Sequence, residues 1–111
     1  MLNELRLNNE QFMLIKSGTK IIEMRLYDEK RKLIKENDII EFTNRLTGEK
    51  LKTRVIKLHL FNSFKELYNN FDNVSLGYKT DEQKRPEDME KYYTKEEQCQ
   101  YGVVAIKIKL I

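Results

Sequence analysis

The apolar pattern changes period at Gly18, and that change constrains the fold more than any other feature of the chain. Before it, Asn8 or Asn9 caps a predicted helix with Phe12, Leu14 and Ile15 inward, and Gly18 suits the left-handed position that ends it. After it, Ile22, Met24 and Leu26 alternate with Ile21, Glu23, Arg25 and Tyr27. That is the signature of a strand with one dry face and one polar face.

Further strands follow the same logic. Leu2–Leu7 reads as a short opening strand, and Ile39, Ile40 and Phe42 begin another. Thr47-Gly48 turns the chain into a long strand from Lys50 to about Leu60. Val103–Leu110 closes the sequence, with Val104, Ile106, Ile108 and Leu110 expected inward and Lys107 and Lys109 outward.

Helical starts are marked by capping-box spacings at Ser63/Glu66 and Thr94/Glu97, and by Pro86 at a first turn expected to run through Tyr93. Asp72–Arg85 holds mainly turn-forming and charged residues and is expected to be a mobile loop. The element order is mixed rather than alternating βαβ, so the pattern gives an α+β class.

A chain of 111 residues suits one domain, and no repeat or linker divides it. Cys99 stands alone, which excludes an internal disulfide and points to a reducing compartment. No apolar run long enough for a membrane span and no secretion signal is present, so a soluble cytoplasmic protein without a membrane partner is expected. His59 has no second ligand at metal spacing and reads as structural, and no metal or other cofactor is expected. The absence of a Gly-rich phosphate loop and of a G-x-S-x-G elbow argues against nucleotide hydrolases and the common serine hydrolases. With 21 Lys+Arg against 18 Asp+Glu, the net charge of +3 decides no partner, and the placement of charge carries the argument.

Two placements stand out. Lys20, Glu23 and Arg25 gather where a helix end, a glycine and a polar strand face meet, and such junctions hold functional groups on a rigid support. Glu23 and Arg25 share a strand parity, so they form either a solvated pair of little energetic value or one side of a site in which Arg25 forks a phosphate. The second placement is basic, with Arg45, Lys50, Lys52, Arg54, Lys57, Lys107 and Lys109 on two strands and a turn. If those strands are neighbours, the surface neutralises phosphates. Otherwise, the lysines protect strand edges. Tyr27, Tyr78, Tyr92, Tyr93 and Tyr101 are suited either to base stacking or to packing at the rim of a core.

Ser17-Gly18-Thr19-Lys20-Ile21-Ile22-Glu23-Met24-Arg25 resembles the G-x-K-x-x-E-x-R signature of ASCH domains. Ile34–Phe42 and the stretch from Tyr92-Tyr93 to Tyr101-Gly102-Val103-Val104 resemble the family's later segments, so the likeness spans essentially the whole chain. The resemblance implies a PUA-like, partly open β-barrel decorated by short helices, with a cleft beside the first helix. It also implies RNA or a modified nucleoside as partner. Lys20, Glu23 and Arg25 are then expected to line the cleft with Lys20 near its mouth, and Tyr27, Arg45, Lys52, Arg54 and Tyr78 to add ligand contacts. The family includes small amidohydrolases of N4-acetylcytidine that use the motif lysine, a threonine three residues later and a downstream glutamate. Lys20 matches the lysine, Glu23 occupies the threonine position, and Asp81–Glu90 offers no clean counterpart for the glutamate.

Three functions follow from this reading. The first is a binding module for RNA or a modified nucleoside. The second is a small hydrolase of an acylated nucleoside or of RNA, with Lys20 and Glu23 as its acid/base pair. The third is a protein-interaction domain, because fold alone does not set function. The sequence leaves oligomeric state open.

Overall fold

The computed structural model describes residues 2–111. Five strands, β1 (Leu2–Leu7), β2 (Ile22–Leu26), β3 (Ile39–Asn44), β4 (Lys50–Phe61) and β5 (Val103–Leu110), form one sheet in the order β1-β3-β4-β5-β2. β1 runs parallel to β3, and the other neighbours are antiparallel. The four α-helices are α1 (Asn9–Lys16), α2 (Phe64–Tyr68), α3 (Asn73–Leu76) and α4 (Lys95–Tyr101), with 3-10 turns at Arg31–Leu33 and Pro86–Lys91. The mixed sheet curls into a half-barrel, an α+β architecture of the PUA-like, partly open kind.

The sheet has two cores because its two faces are covered by different elements. On the inner face, Leu5, Leu7, Ile40, Phe42, Val55, Val104, Ile106 and Ile108 pack with Phe12 and Ile15 of α1. On the outer face, Ile22, Met24, Leu26, Val103 and Ala105 pack with Phe64, Leu67, Tyr68 and Leu76 from α2 and α3. Each fully buried aliphatic or aromatic side chain contributes roughly 1.5–3 kcal/mol.

This double covering alters the expected polarity of two strands. β2 is buried on both faces, Glu23 included, so its expected polar face is not solvated. β5 buries Val103 and Ala105 as well as the expected Val104, Ile106 and Ile108. Leu110 is 39% exposed, a departure from its expected inward burial, because at that end the inner face opens into a cavity.

The caps formed at all three expected positions, but the expected capping box at Ser63/Glu66 closes on one side only, without the bond from Ser63 N back to the Glu66 carboxylate. Asn8 accepts from Gln11 N, Ser63 accepts from Glu66 N, and Thr94–Glu97 makes both halves of a capping box. The segment read as a loop over Asp72–Arg85 holds α3. Asp72 caps it at one end, and Gly77 ends it at φ +98°. Four helical residues are too few to show a helical period, so only the two caps announce them.

Candidate functional site

Lys20, Glu23 and Arg25 converge as a buried triad inside the half-barrel. Glu23 is paired with Ile106 and Arg25 with Val104, so both side chains share the inner face with the first core. Lys20 Nζ lies 3.2 Å from Glu23 Oε1 and donates to Gln11 Oε1 on α1 at 2.5 Å. Arg25 donates through Nε to Glu23 Oε2 at 2.9 Å, and its Nη2 lies 2.8 Å from the same oxygen. Its Nη2 also donates to the Arg6 carbonyl at 2.9 Å. That last bond spans the opening of the barrel, because β1 and β2 are the two edge strands.

The expected order of depth is reversed. Lys20 and Glu23 are each only 4% exposed, whereas the Arg25 side chain is 12% exposed. Lys20 therefore lies inside rather than at a mouth, because its aliphatic stem packs under α1 and α3. A Cβ placed on Gly77 would stand 3.1 Å from both Lys20 Cδ and Gln11 Oε1, which makes Gly77 the close wall behind that pair. The solvated-pair alternative fails for the same reason.

Burial pushes the Glu23 carboxyl up, but Lys20 and then Arg25 outweigh it and hold the group below its ordinary range. Burial likewise works against the Arg25 guanidinium, and Glu23 and the Tyr93 phenol outweigh it, so its pKa is raised. Glu23 and Arg25 are thus both favoured in their charged forms. Two cations against one carboxylate leave one positive charge in excess.

A cavity of about 250 Å³ opens beside the C-terminal end of α1, with Ile15, Gly18, Lys20, Thr53, Ile108 and Lys109 among the residues that line it. Lys20 belongs to both the cavity wall and the triad, while Glu23 and Arg25 are not in that wall. A second, more open cavity of about 390 Å³ includes Tyr27, Phe61, Glu66, Gln98 and Tyr101. Tyr27 is thereby placed away from the first cavity, with Lys32 Nζ over its ring at 5.7 Å.

The other expected contacts are not at the triad. The Tyr78 ring packs in the outer core, and its hydroxyl is engaged with Tyr68 and with Asp88, each at 2.9 Å, so a stacking role is not supported there. Arg45 is exposed in the β3–β4 turn. Lys52 and Arg54 are exposed on the outer face of β4, across the sheet from the triad. Gln11, Gly77 and the Arg6 carbonyl complete the site without having been expected, and Tyr93, one of the tyrosines read as a stacking or rim residue, lies beside Arg25. Gln11 is one polar residue on an amphipathic helix and Arg6 contributes only backbone, so neither carries a sequence signal. Among the described residues, no group of acidic, histidine and cysteine side chains could hold a metal ion, and no helix is long and apolar enough to cross a membrane.

The half-barrel with a charged interior beside its first helix defines a PUA-like protein. The chain belongs to the ASCH domain family, whose model matches residues 5–111. It is similar to the hypothetical protein PH0355, known from a crystal structure, with 39% identity, a TM-score of 0.84 and 100% of both chains covered. It is also similar to protein PF0455 from Pyrococcus furiosus, known from a solution NMR structure, with 38% identity, a TM-score of 0.73, and 100% of this chain and 98% of that one covered. No curated protein matches significantly.

Proposed function

We propose that this ASCH domain binds RNA or a modified nucleoside, with Lys20 in the wall of the cavity beside α1 and Glu23 and Arg25 setting its charge and position. The observation that carries the reading is the excess positive charge of a triad held inside the barrel. Replacing a buried ion cluster with apolar residues is often neutral or stabilising, so stability alone is a weak reason to keep one. An anionic or carbonyl-bearing ligand gives the excess charge a partner. The cavity, slightly below the usual volume range for small-molecule sites, suits an occupant no larger than a nucleoside. Arg45, Lys52 and Arg54 are candidates for contacts to a longer RNA backbone.

Binding is favoured over hydrolysis by the state of Glu23. Both of its oxygens are engaged by cations, and its pKa is lowered, which weakens it as a general base. The side chain at this position also lacks the hydroxyl used by the N4-acetylcytidine amidohydrolases that the motif resembles. Calorimetric titration with cytidine, N4-acetylcytidine and a short RNA, alongside an assay for released acetate, tests the proposal. Binding is expected with little or no acetate, and Lys20→Ala is expected to weaken it by about 1–3 kcal/mol. Turnover abolished by both Lys20→Ala and Glu23→Gln would instead establish the hydrolase.

A further inference from the structure

The outer face of the sheet is covered by helices at one end and bare at the other. At the bare end the registers place Arg54 directly opposite Lys109, and Lys57 directly opposite Lys107. Lys107 and Lys109 are two residues apart on β5, so the four side chains form a two-by-two array on one face, with rows roughly 7 Å apart along the strand. All four are exposed. The irregularity between Val55 and Lys57 is what aligns the second row, because the extra residue returns Lys57 to the face already occupied by Arg54.

Like charges directly opposite each other destabilise a sheet. None of the four makes an ion pair with another described residue, whereas Lys50, two rows from Arg54 along β4, is 3.6 Å from Glu41. The Arg54 guanidinium is steadied by a 2.8 Å bond to the Asn37 carbonyl. One row further along β4, His59 sits edge-on to Phe71, with ring centroids 5.3 Å apart. Burial lowers the His59 pKa, Lys57 and Lys107 lower it further, and Glu36 alone opposes them. The array therefore projects a net positive field onto an aromatic step, with Glu36 as the opposing charge.

We infer that Arg54, Lys57, Lys107 and Lys109 form a binding surface for the phosphate backbone of a single-stranded nucleic acid, separate from the interior site. Repeated, evenly spaced cations on a flat face match a polymer with one charge per unit. The adjoining His59–Phe71 step offers the flat ring surface on which an unpaired base stacks. Lys109 also borders the interior cavity, but Lys57 and Lys107 lie outside its wall and on the opposite face of the sheet from the triad, so removing these two tests the array without touching the interior site.

The test is fluorescence anisotropy with a labelled single-stranded oligouridylate of about 15 nucleotides, a length spanned by single-strand sites. Four phosphate contacts predict a slope of log affinity against log salt near about −3 between about 50 and 200 mM. The double variant Lys57→Gln/Lys107→Gln is expected to weaken binding about tenfold or more and to flatten the slope by about 1.4, while leaving calorimetric nucleoside binding unchanged. The control pair Lys65→Gln/Lys95→Gln, on helices, removes the same charge and should leave the slope intact. In wild type, the His59 ring titration, followed by NMR, should move up toward its ordinary value when oligouridylate is added, because the phosphates neutralise Lys57 and Lys107. Equal affinity and slope in wild type and the array variant would overturn the inference. So would equal flattening by the control pair, or charge-dependent sedimentation with phosphatidylserine vesicles in place of oligouridylate binding. Loss of nucleoside binding with retained oligouridylate binding would sink only the interior reading.

Discussion

The inner and outer faces of this sheet carry two concentrations of positive charge under opposite physical conditions. Inside, Lys20 and Arg25 are desolvated and share one carboxylate. Outside, Arg54, Lys57, Lys107 and Lys109 face water and have no carboxylate between them. The difference lies in what each cation does when its neighbour is removed. Within the barrel, geometry and charge are locked together, so any change is felt by the fold. On the open face, solvent and salt screen the repulsion, and the fold barely registers it.

The sharpest way to break this comparison is Glu23→Gln, which leaves two buried cations without their shared anion. It is expected to cost about 3–5 kcal/mol in urea unfolding, the usual result of removing one partner from a buried ion cluster. A joint Lys20→Met/Glu23→Leu/Arg25→Met variant should instead be close to wild type in stability while losing nucleoside binding, which would separate the function of the triad from its structural role. Acid carries the same signature. Because the folded pKa of Glu23 is depressed, its contribution is fully present above its ordinary value of 4.5 and is lost as pH falls through the lower folded value. Glu23→Gln should remove that component of the acid transition.

Gly77→Ala comes next in size. It forces a side chain into a left-handed backbone and into the space against Lys20 Cδ and Gln11 Oε1, with an expected cost of about 1–2 kcal/mol and weaker nucleoside binding. A Tm and affinity equal to wild type would show that the wall behind Lys20 is loose. The smallest effect belongs to the outer face. Lys107→Gln relieves a cross-strand repulsion and should raise stability by less than about 0.5 kcal/mol in about 0.1 M salt, a gain that shrinks as salt is added. A large loss on this substitution would mean that the array is built into the fold as the triad is.

Most of the frame was legible in the sequence because it depends on local rules. The change of period at Gly18, the alternation in β2 and β5, the Thr47-Gly48 turn and the caps at Asn8, Ser63 and Thr94 each act over a few residues, and each is formed. The grouping of Glu23 with Arg25 followed from strand parity alone. α3 was missed because a single helical turn has no period to detect. Tyr78 was misplaced because an aromatic ring suits a core as well as a ligand, and only its neighbours Tyr68 and Asp88 decide between them.

By itself, then, the sequence determined which residues form strands and helices, which side chains share a face, and the family motif that runs through Gly18, Lys20, Glu23 and Arg25. Those are consequences of backbone geometry with short range. Whether the polar face of β2 meets water or protein was decided only by tertiary structure, because it depends on where α1 and the edge strand β1 come to rest. The same holds for Lys57, Lys107 and Lys109, whose meeting depends on the pairing of β4 with β5 and on the irregularity that shifts its register. Burial and cross-strand register join residues far apart in the chain, and no local pattern encodes the strength of a charge once its surroundings replace water.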